Sequence, residues 1–204
     1  MNPAKTRPMT HQQIRRLTLA ALFAALTVIG AYIKIPIGPA PITLQTLFTL
    51  LAGLILGPWT GALSQLLYMG LGLIGLPVFT SGGGLTAILT PSFGFVIGFV
   101  LAPLAMGGLE QIRRTRQPRT RGRAYLSLLL LALVGTAVIY LAGVPYMYLV
   151  LRHVNGVTLT FMQALKTGCL VFLPGDLAKC LLAAYVGQKL RPWLDPSYLK
   201  RASS

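Results

Sequence analysis

From Ile35 to Leu109 the chain runs for 75 residues without a charged side chain. No water-soluble fold accommodates such a run, because soluble loops lie on the surface and need polar groups there. A helix needs about 20 apolar residues to cross a hydrocarbon core of ~30 Å. The run therefore has room for three spans and the short loops between them. Two further uncharged stretches flank it, Leu17–Ile33 with 17 residues and Ala124–Leu151 with 28. Of the 204 residues, 10% are charged and 54% are hydrophobic. A soluble domain carries about 25% charged residues, and a disordered basic segment is poor in hydrophobic ones. Both classes are excluded.

Proline and glycine punctuate the apolar runs. Pro36, Gly38, Pro39 and Pro41 make a loop, and Gly57-Pro58 makes a tight break. Gly75-Leu76-Pro77 opens an irregular segment that holds Gly82, Gly83 and Gly84. Pro91 suits a first helical turn. The expected fold is an all-α integral membrane protein with six transmembrane helices, at about 14–34, 42–57, 59–75, 91–112, 124–149 and 161–189. Spans two and three are short and need close neighbours or a locally thinned bilayer. The basic start and the apolar run after it have the outline of a signal peptide. That run is long enough to span, however, and ends at Lys34-Ile35-Pro36 rather than at a small-residue cleavage site. It reads as a retained first helix.

A formal net charge of +15 would ordinarily point to nucleic acid, but the placement of the charges points to topology. Lys5, Arg7, Arg15 and Arg16 precede helix one, and Arg113, Arg114, Arg116, Arg119, Arg121 and Arg123 lie between helices four and five. Lys189, Arg191, Lys200 and Arg201 follow helix six. With six spans these segments share one side and hold 14 of the 18 basic residues, against Lys34 and Arg152 opposite. The positive-inside rule makes both termini cytoplasmic. The expected organisation is a basic tail at 1–13, a six-helix transmembrane domain at 14–190 and a second basic tail at 191–204. The Arg113–Arg123 cluster leaves open a contact with anionic lipid or nucleic acid. Small residues recur four apart at Gly53, Gly57 and Gly61, at Gly94 and Gly98, and on helix one at Ala20/Ala24 and Ala21/Ala25. Such spacing lets helices pack closely in lipid, either within this chain or against another membrane protein.

Charge within a span costs at least ~2.5–3.5 kcal/mol at the bilayer centre. Helix six alone holds such residues: Lys166, Asp176 and Lys179. Lys166 is near the outer end, where it can snorkel. Asp176 and Lys179 are spaced i, i+3 and share a face, just after Pro174-Gly175, where the backbone is loosened. They form either a self-satisfied pair or two contacts to a ligand, Lys179 for a carboxylate and Asp176 for N–H donors. The segment Leu76–Pro91 is apolar, rich in glycine and expected on the outer side. Irregular backbone at a membrane face is tolerated where it packs into protein or lines a cavity, and a lid over an outward pocket fits it. Enzyme chemistry finds little support. His11 and His153 lie in a tail and a loop, no HExxH or GxSxG motif occurs, and there is no clustered pair of carboxylates. Cys169 and Cys180, eleven residues apart on one helix, stand roughly 16 Å apart, too far for a disulfide. With no ATP-binding motif, active transport would draw on a partner or a gradient.

Pro39-Ala-Pro-Ile-Thr-Leu-Gln45, Gly75-Leu-Pro-Val-Phe79 running into a glycine cluster, Gly94-Phe95 and Pro174-Gly-Asp-Leu-Ala-Lys179 occur in that order. Together they resemble the BioY family, the biotin-specific substrate-binding (S) component of energy-coupling-factor (ECF) transporters, over roughly 14–190. The resemblance implies a multi-pass protein of the bacterial plasma membrane that takes up biotin, with the long outer loop between helices 3 and 4 acting as a lid. It implies biotin, membrane lipid, an ECF transmembrane coupling subunit and ATPase subunits as partners, no nucleic acid and no cofactor. Lys179 would face the valerate carboxylate and Asp176 the ureido N–H groups, or the two could share these ends differently. Phe79, Ser81 and the backbone of Gly82, Gly83 and Gly84 would form the lid, with Gln45 and Tyr146 as further contacts. Ala20, Ala24, Ala21 and Ala25 would dock the coupling subunit. Thr90-Pro91-Ser92 stands where the family commonly has GPT-like residues, and Leu85-Thr86 follows the glycine cluster instead of more glycine. The alternatives are an S component for a different vitamin and an intramembrane transferase.

Overall fold

The computed structural model of the protein describes residues 10–113 and 121–194. Lys5, Arg7, Arg114, Arg116, Arg119, Lys200 and Arg201 of the basic segments, and most of the two expected tails, lie outside the described residues. Helix α1 spans His11–Tyr32 and starts at a capping box, in which the Thr10 hydroxyl accepts from the Gln13 amide and the Gln13 side chain accepts from the Thr10 amide. A two-residue hairpin, β1 (Lys34–Ile35) against β2 (Ile42–Thr43), carries the first outer loop. Helix α2 is Gln45–Leu73, α3 Phe93–Arg113 and α4 Arg121–His153. A short 3-10 turn, Leu85–Leu89, lies in the loop before α3.

Helix α2 is broken at Gly57. Gly57 has φ 80° and ψ −177°, a conformation that residues with a side chain rarely adopt, and Pro58 follows. Gln45 bonds Tyr68 at 2.6 Å and Thr49 bonds Gln65 at 3.1 Å. A Cβ added to Gly61 would stand 3.0 Å from the Ala52 carbonyl oxygen. In a straight helix residues 45 and 68 would be roughly 34 Å apart at 1.5 Å per residue. The chain therefore reverses at Gly57, and α2 is two antiparallel arms, 45–56 and 58–73, the expected second and third spans. By length and composition alone, α1 to α4 each pass as one membrane span and the bent α5–α6 pair as a fifth. With α2 resolved into its arms, the membrane segments among the described residues number six.

The expected single helix over 161–189 is broken. Helix α5 (Phe161–Leu165) runs into a π turn at Lys166–Leu170, and α6 (Leu173–Leu194) restarts at an angle of 41°. Pro174 has no amide hydrogen for the preceding turn, so it fits only near the start of α6. The π turn is closed by the Val171 amide reaching the Lys166 carbonyl. A π turn of this kind re-aims the side chains that follow it.

Helix α1 packs on α2, α2 on α3 and α3 on α4, while α6 closes against α2 and α4. Association in lipid depends on close packing rather than on exclusion of water, and the small residues supply it. Added Cβ atoms on Gly94 and Gly98 would lie 2.3 Å from the Tyr146 Cβ and 2.8 Å from the Ile139 Cα, so α3 and α4 are in backbone-level contact. Gln65, fully buried, bonds Thr27 of α1, Thr49 of the first arm and Ser64, pinning three segments together. Leu50, Leu54, Met106, Leu131 and Ala183 fill one half of the bundle. Outward faces are apolar: Leu22, Ile29 and Leu181 are about half exposed and Leu141 is 74% exposed. Exposure of this kind suits acyl chains, not water. At the basic end, Arg191 of α6 pairs with Glu110 of α3, and Arg15 of α1 donates to the Trp193 carbonyl at 3.2 Å.

Candidate functional site

The end of the bundle opposite that ion pair holds a cavity that is partly open to the outside. Its wall is mainly apolar and aromatic, with Ala40, Phe93, Phe99, Ile139 and Phe172 from four different segments. Phe79 enters from the loop at 74–92 and stacks edge-on to Tyr68 and Phe93, at centroid distances of 5.4 and 6.0 Å. Edge-to-face geometry aligns ring edges with ring faces and fixes the loop side chain in place.

One ion pair interrupts this apolar wall. Lys179 Nζ donates to Asp176 Oδ1 at 2.6 Å, and the two residues are 9% and 5% exposed. The broken helix positions them. Asp176 lies in the first turn of α6, its amide donates to the Phe172 carbonyl just past the π turn, and Lys179 follows one turn later. Tyr140 of α4 donates to Asp176 Oδ2 at 2.5 Å. Gln45 stands at the start of α2, its side-chain amide donating to the Tyr68 oxygen and its carbonyl accepting from Thr43 at 3.0 Å. Every buried side-chain N or O among the described residues has a hydrogen-bond partner.

The loop that covers the cavity is held through its backbone carbonyls. Tyr32 donates to Pro77 at 2.5 Å, Lys34 to Thr80 at 2.7 Å, Tyr68 to Val78 at 3.3 Å, and Tyr146 to Ile88. The glycine cluster shapes its turn: Gly82 and Gly84 have φ 112° and 96°, and a Cβ on Gly83 would meet the Leu76 carbonyl oxygen at 2.1 Å.

Of the residues singled out from sequence, Asp176, Lys179, Phe79, Ser81 and Gln45 line the cavity. Gly82, Gly83 and Gly84 lie outside its wall and build the loop instead. Tyr146 also stands outside the wall, holding the loop at Ile88. The helix-one alanines divide. Ala20 and Ala24 are buried within the chain, at 0% and 3% exposed, and so are not available to a partner. This corrects the expectation that all four alanines form one docking face, because residues one position apart on a helix point about 100° apart. Ala21 and Ala25 are exposed. Sequence reasoning passed over Tyr68, Tyr140 and Phe172. Each sits mid-run among apolar neighbours and carries no local signal of a site.

A multi-pass helical bundle with a mainly apolar cavity and one buried ion pair defines a membrane-embedded ligand-binding protein. The sequence model of the BioY family matches residues 4–196. The chain is 37% identical over 182 residues to the "Probable biotin transporter BioY" of Lysinibacillus sphaericus, covering 89% of each chain. It is 39% identical over 179 residues to the protein of the same name from Pyrococcus horikoshii, covering 87% of this chain and 96% of that one. In structure it is similar to the S-component for biotin from an ECF-type ABC transporter, with a TM-score of 0.75, 31% identity, and 90% and 95% of the two chains covered. The chain belongs to the BioY family. It is a multi-pass membrane protein and a transport protein rather than an enzyme.

Proposed function

We propose that the chain is the biotin-binding S component of an ECF-type transporter, taking biotin from the outer side and passing it inward with coupling and ATPase subunits. The observation that carries this reading is the Asp176–Lys179 pair, the one ion pair in the wall of a mainly apolar and aromatic cavity. Biotin has a carboxylate at one end, a cyclic urea with N–H donors at the other and an apolar body between. Lys179, the one cation in the described wall, suits the carboxylate, and Asp176 suits the N–H groups. Phe79 and Ser81 close the cavity from the loop, which acts as the lid, and Gln45 lines the wall beside Tyr68. The clustering of basic residues supports a cytoplasmic location for both termini and the loop before α4. Exposed Ala21 and Ala25 support a reduced docking face for the coupling subunit. No resident cofactor is called for, since biotin is the cargo.

The test is equilibrium binding to the purified chain in detergent, with biotin beside a panel of other vitamins. Biotin is expected to bind preferentially. Asp176→Asn and Lys179→Ala should each weaken it at least tenfold, since either change leaves a buried polar group without its partner. Unchanged affinity in both variants overturns the site, and preference for another vitamin overturns the ligand.

A further inference from the structure

We propose that Tyr140 is a specificity-determining residue of this site: its hydroxyl holds the Asp176 carboxylate, so that Asp176 keeps a protein donor when Lys179 turns to an anionic ligand group. The inference rests on the biotin reading above, with Lys179 facing the ligand carboxylate.

The charge arithmetic of the cavity requires such a group. Its described wall carries one anion, Asp176, and one cation, Lys179. A ligand with a carboxylate brings a second anion, and Lys179 must then be shared between two. A buried charge deprived of its partner is strongly destabilising, and with only these two residues Asp176 would exchange the ammonium for the ligand's neutral N–H donors alone. The structure divides the two Asp176 oxygens between separate donors. Oδ1 takes the Lys179 ammonium at 2.6 Å, and Oδ2 takes the Tyr140 hydroxyl at 2.5 Å. The second distance lies within the range of a charge-assisted O–H···O⁻ bond. The two donors also come from different helices, so Lys179 can swing on α6 while the bond from α4 stays in place. A phenol is neutral. It satisfies the carboxylate without adding a second positive charge that would bind Asp176 and the ligand indiscriminately.

This role is felt only by ligands with an anionic end. Biotinamide, whose carboxylate is replaced by a neutral amide, does not draw Lys179 away, and for it Tyr140 is merely part of the wall. The experiment measures biotin and biotinamide binding to the purified full chain and to Tyr140→Phe, which deletes only the hydroxyl. Biotin affinity is expected to fall about tenfold or more, the size of one hydrogen bond to a charged group, and biotinamide affinity by less than about threefold. The ratio is read within one preparation, so an altered folded fraction cancels. Equal losses for both ligands, or no loss for either, overturn the proposal. In an Asp176→Asn background the anion is gone, and Tyr140→Phe should leave the ratio unchanged; a further selective loss of biotin there also overturns it. A wild-type chain that binds no biotin refutes the functional reading and this inference with it, a result distinct from failure of the Tyr140 arm alone.

Discussion

Gln45 and Tyr68 stand 23 positions apart in the sequence and share a 2.6 Å hydrogen bond across the reversed arms of α2. The Tyr68 hydroxyl also reaches the Val78 carbonyl of the covering loop, at 3.3 Å. One phenol thus joins the cavity wall to its cover. Tyr68→Phe should accelerate biotin dissociation by about two- to tenfold, the equivalent of one neutral hydrogen bond. A chase of bound radiolabelled biotin measures this, and an unchanged dissociation rate would disprove the coupling.

The rim of the loop offers a second test. Lys34→Ala removes the donor to the Thr80 carbonyl at a site exposed to solvent. It should speed dissociation a few-fold, within the range of about 0.5–1.5 kcal/mol for one hydrogen bond, while the melting temperature in detergent stays the same. A fall in melting temperature with no change in dissociation would mean that the bond serves the fold and not the cover.

The ion pair should behave asymmetrically in stability measurements. Lys179→Met alone leaves the buried Asp176 carboxylate with the Tyr140 hydroxyl but no cation, and should destabilise by part of the about 3–5 kcal/mol that breaking a buried pair costs. The double variant Asp176→Leu/Lys179→Met removes both charges and should recover most of that loss, though not binding. Thermal unfolding in detergent compares them, and a double variant no more stable than the single one would contradict this account.

Two glycines, one from each spacing series, should resist alanine for different reasons. At Gly57 an added Cβ meets nothing within 4 Å, but φ 80° with ψ −177° is a region held essentially by glycine alone, so Gly57→Ala carries a backbone penalty of about 1–3 kcal/mol. At Gly98 the Cβ would press on the Ile139 backbone at 2.8 Å, and overpacking of this kind costs typically about 1–3 kcal/mol, occasionally more. Both variants should therefore melt lower than the parent chain in detergent; an unchanged melting temperature for Gly98→Ala would refute the α3–α4 contact.

The spans were legible because the bilayer imposes a single coarse requirement, an uncharged run of sufficient length, and proline and glycine mark the breaks inside the longest run. Gly57-Pro58 marked the reversal inside α2 because only glycine followed by proline makes so sharp a break in an apolar run. Asp176 and Lys179 stood out for the same reason: each is expensive where it lies. What was not legible depended on rotation about helix axes. Ala20 and Ala21 are equivalent in a list of small residues, yet one is buried and the other exposed. Tyr140 becomes part of the site only because α4 packs against the first turn of α6. The break at Lys166–Leu170 lies ahead of Pro174, and the residues within it gave no warning of a π turn.

The covering loop is gripped at Pro77, Val78, Thr80 and Ile88 by their carbonyl oxygens, an atom common to all amino acids. Anchorage and chemical identity are thereby uncoupled along this stretch. Substitutions in its side chains could retune which molecule is welcomed while the clasp persists, so a lineage could drift towards new cargo without first dismantling its doorway.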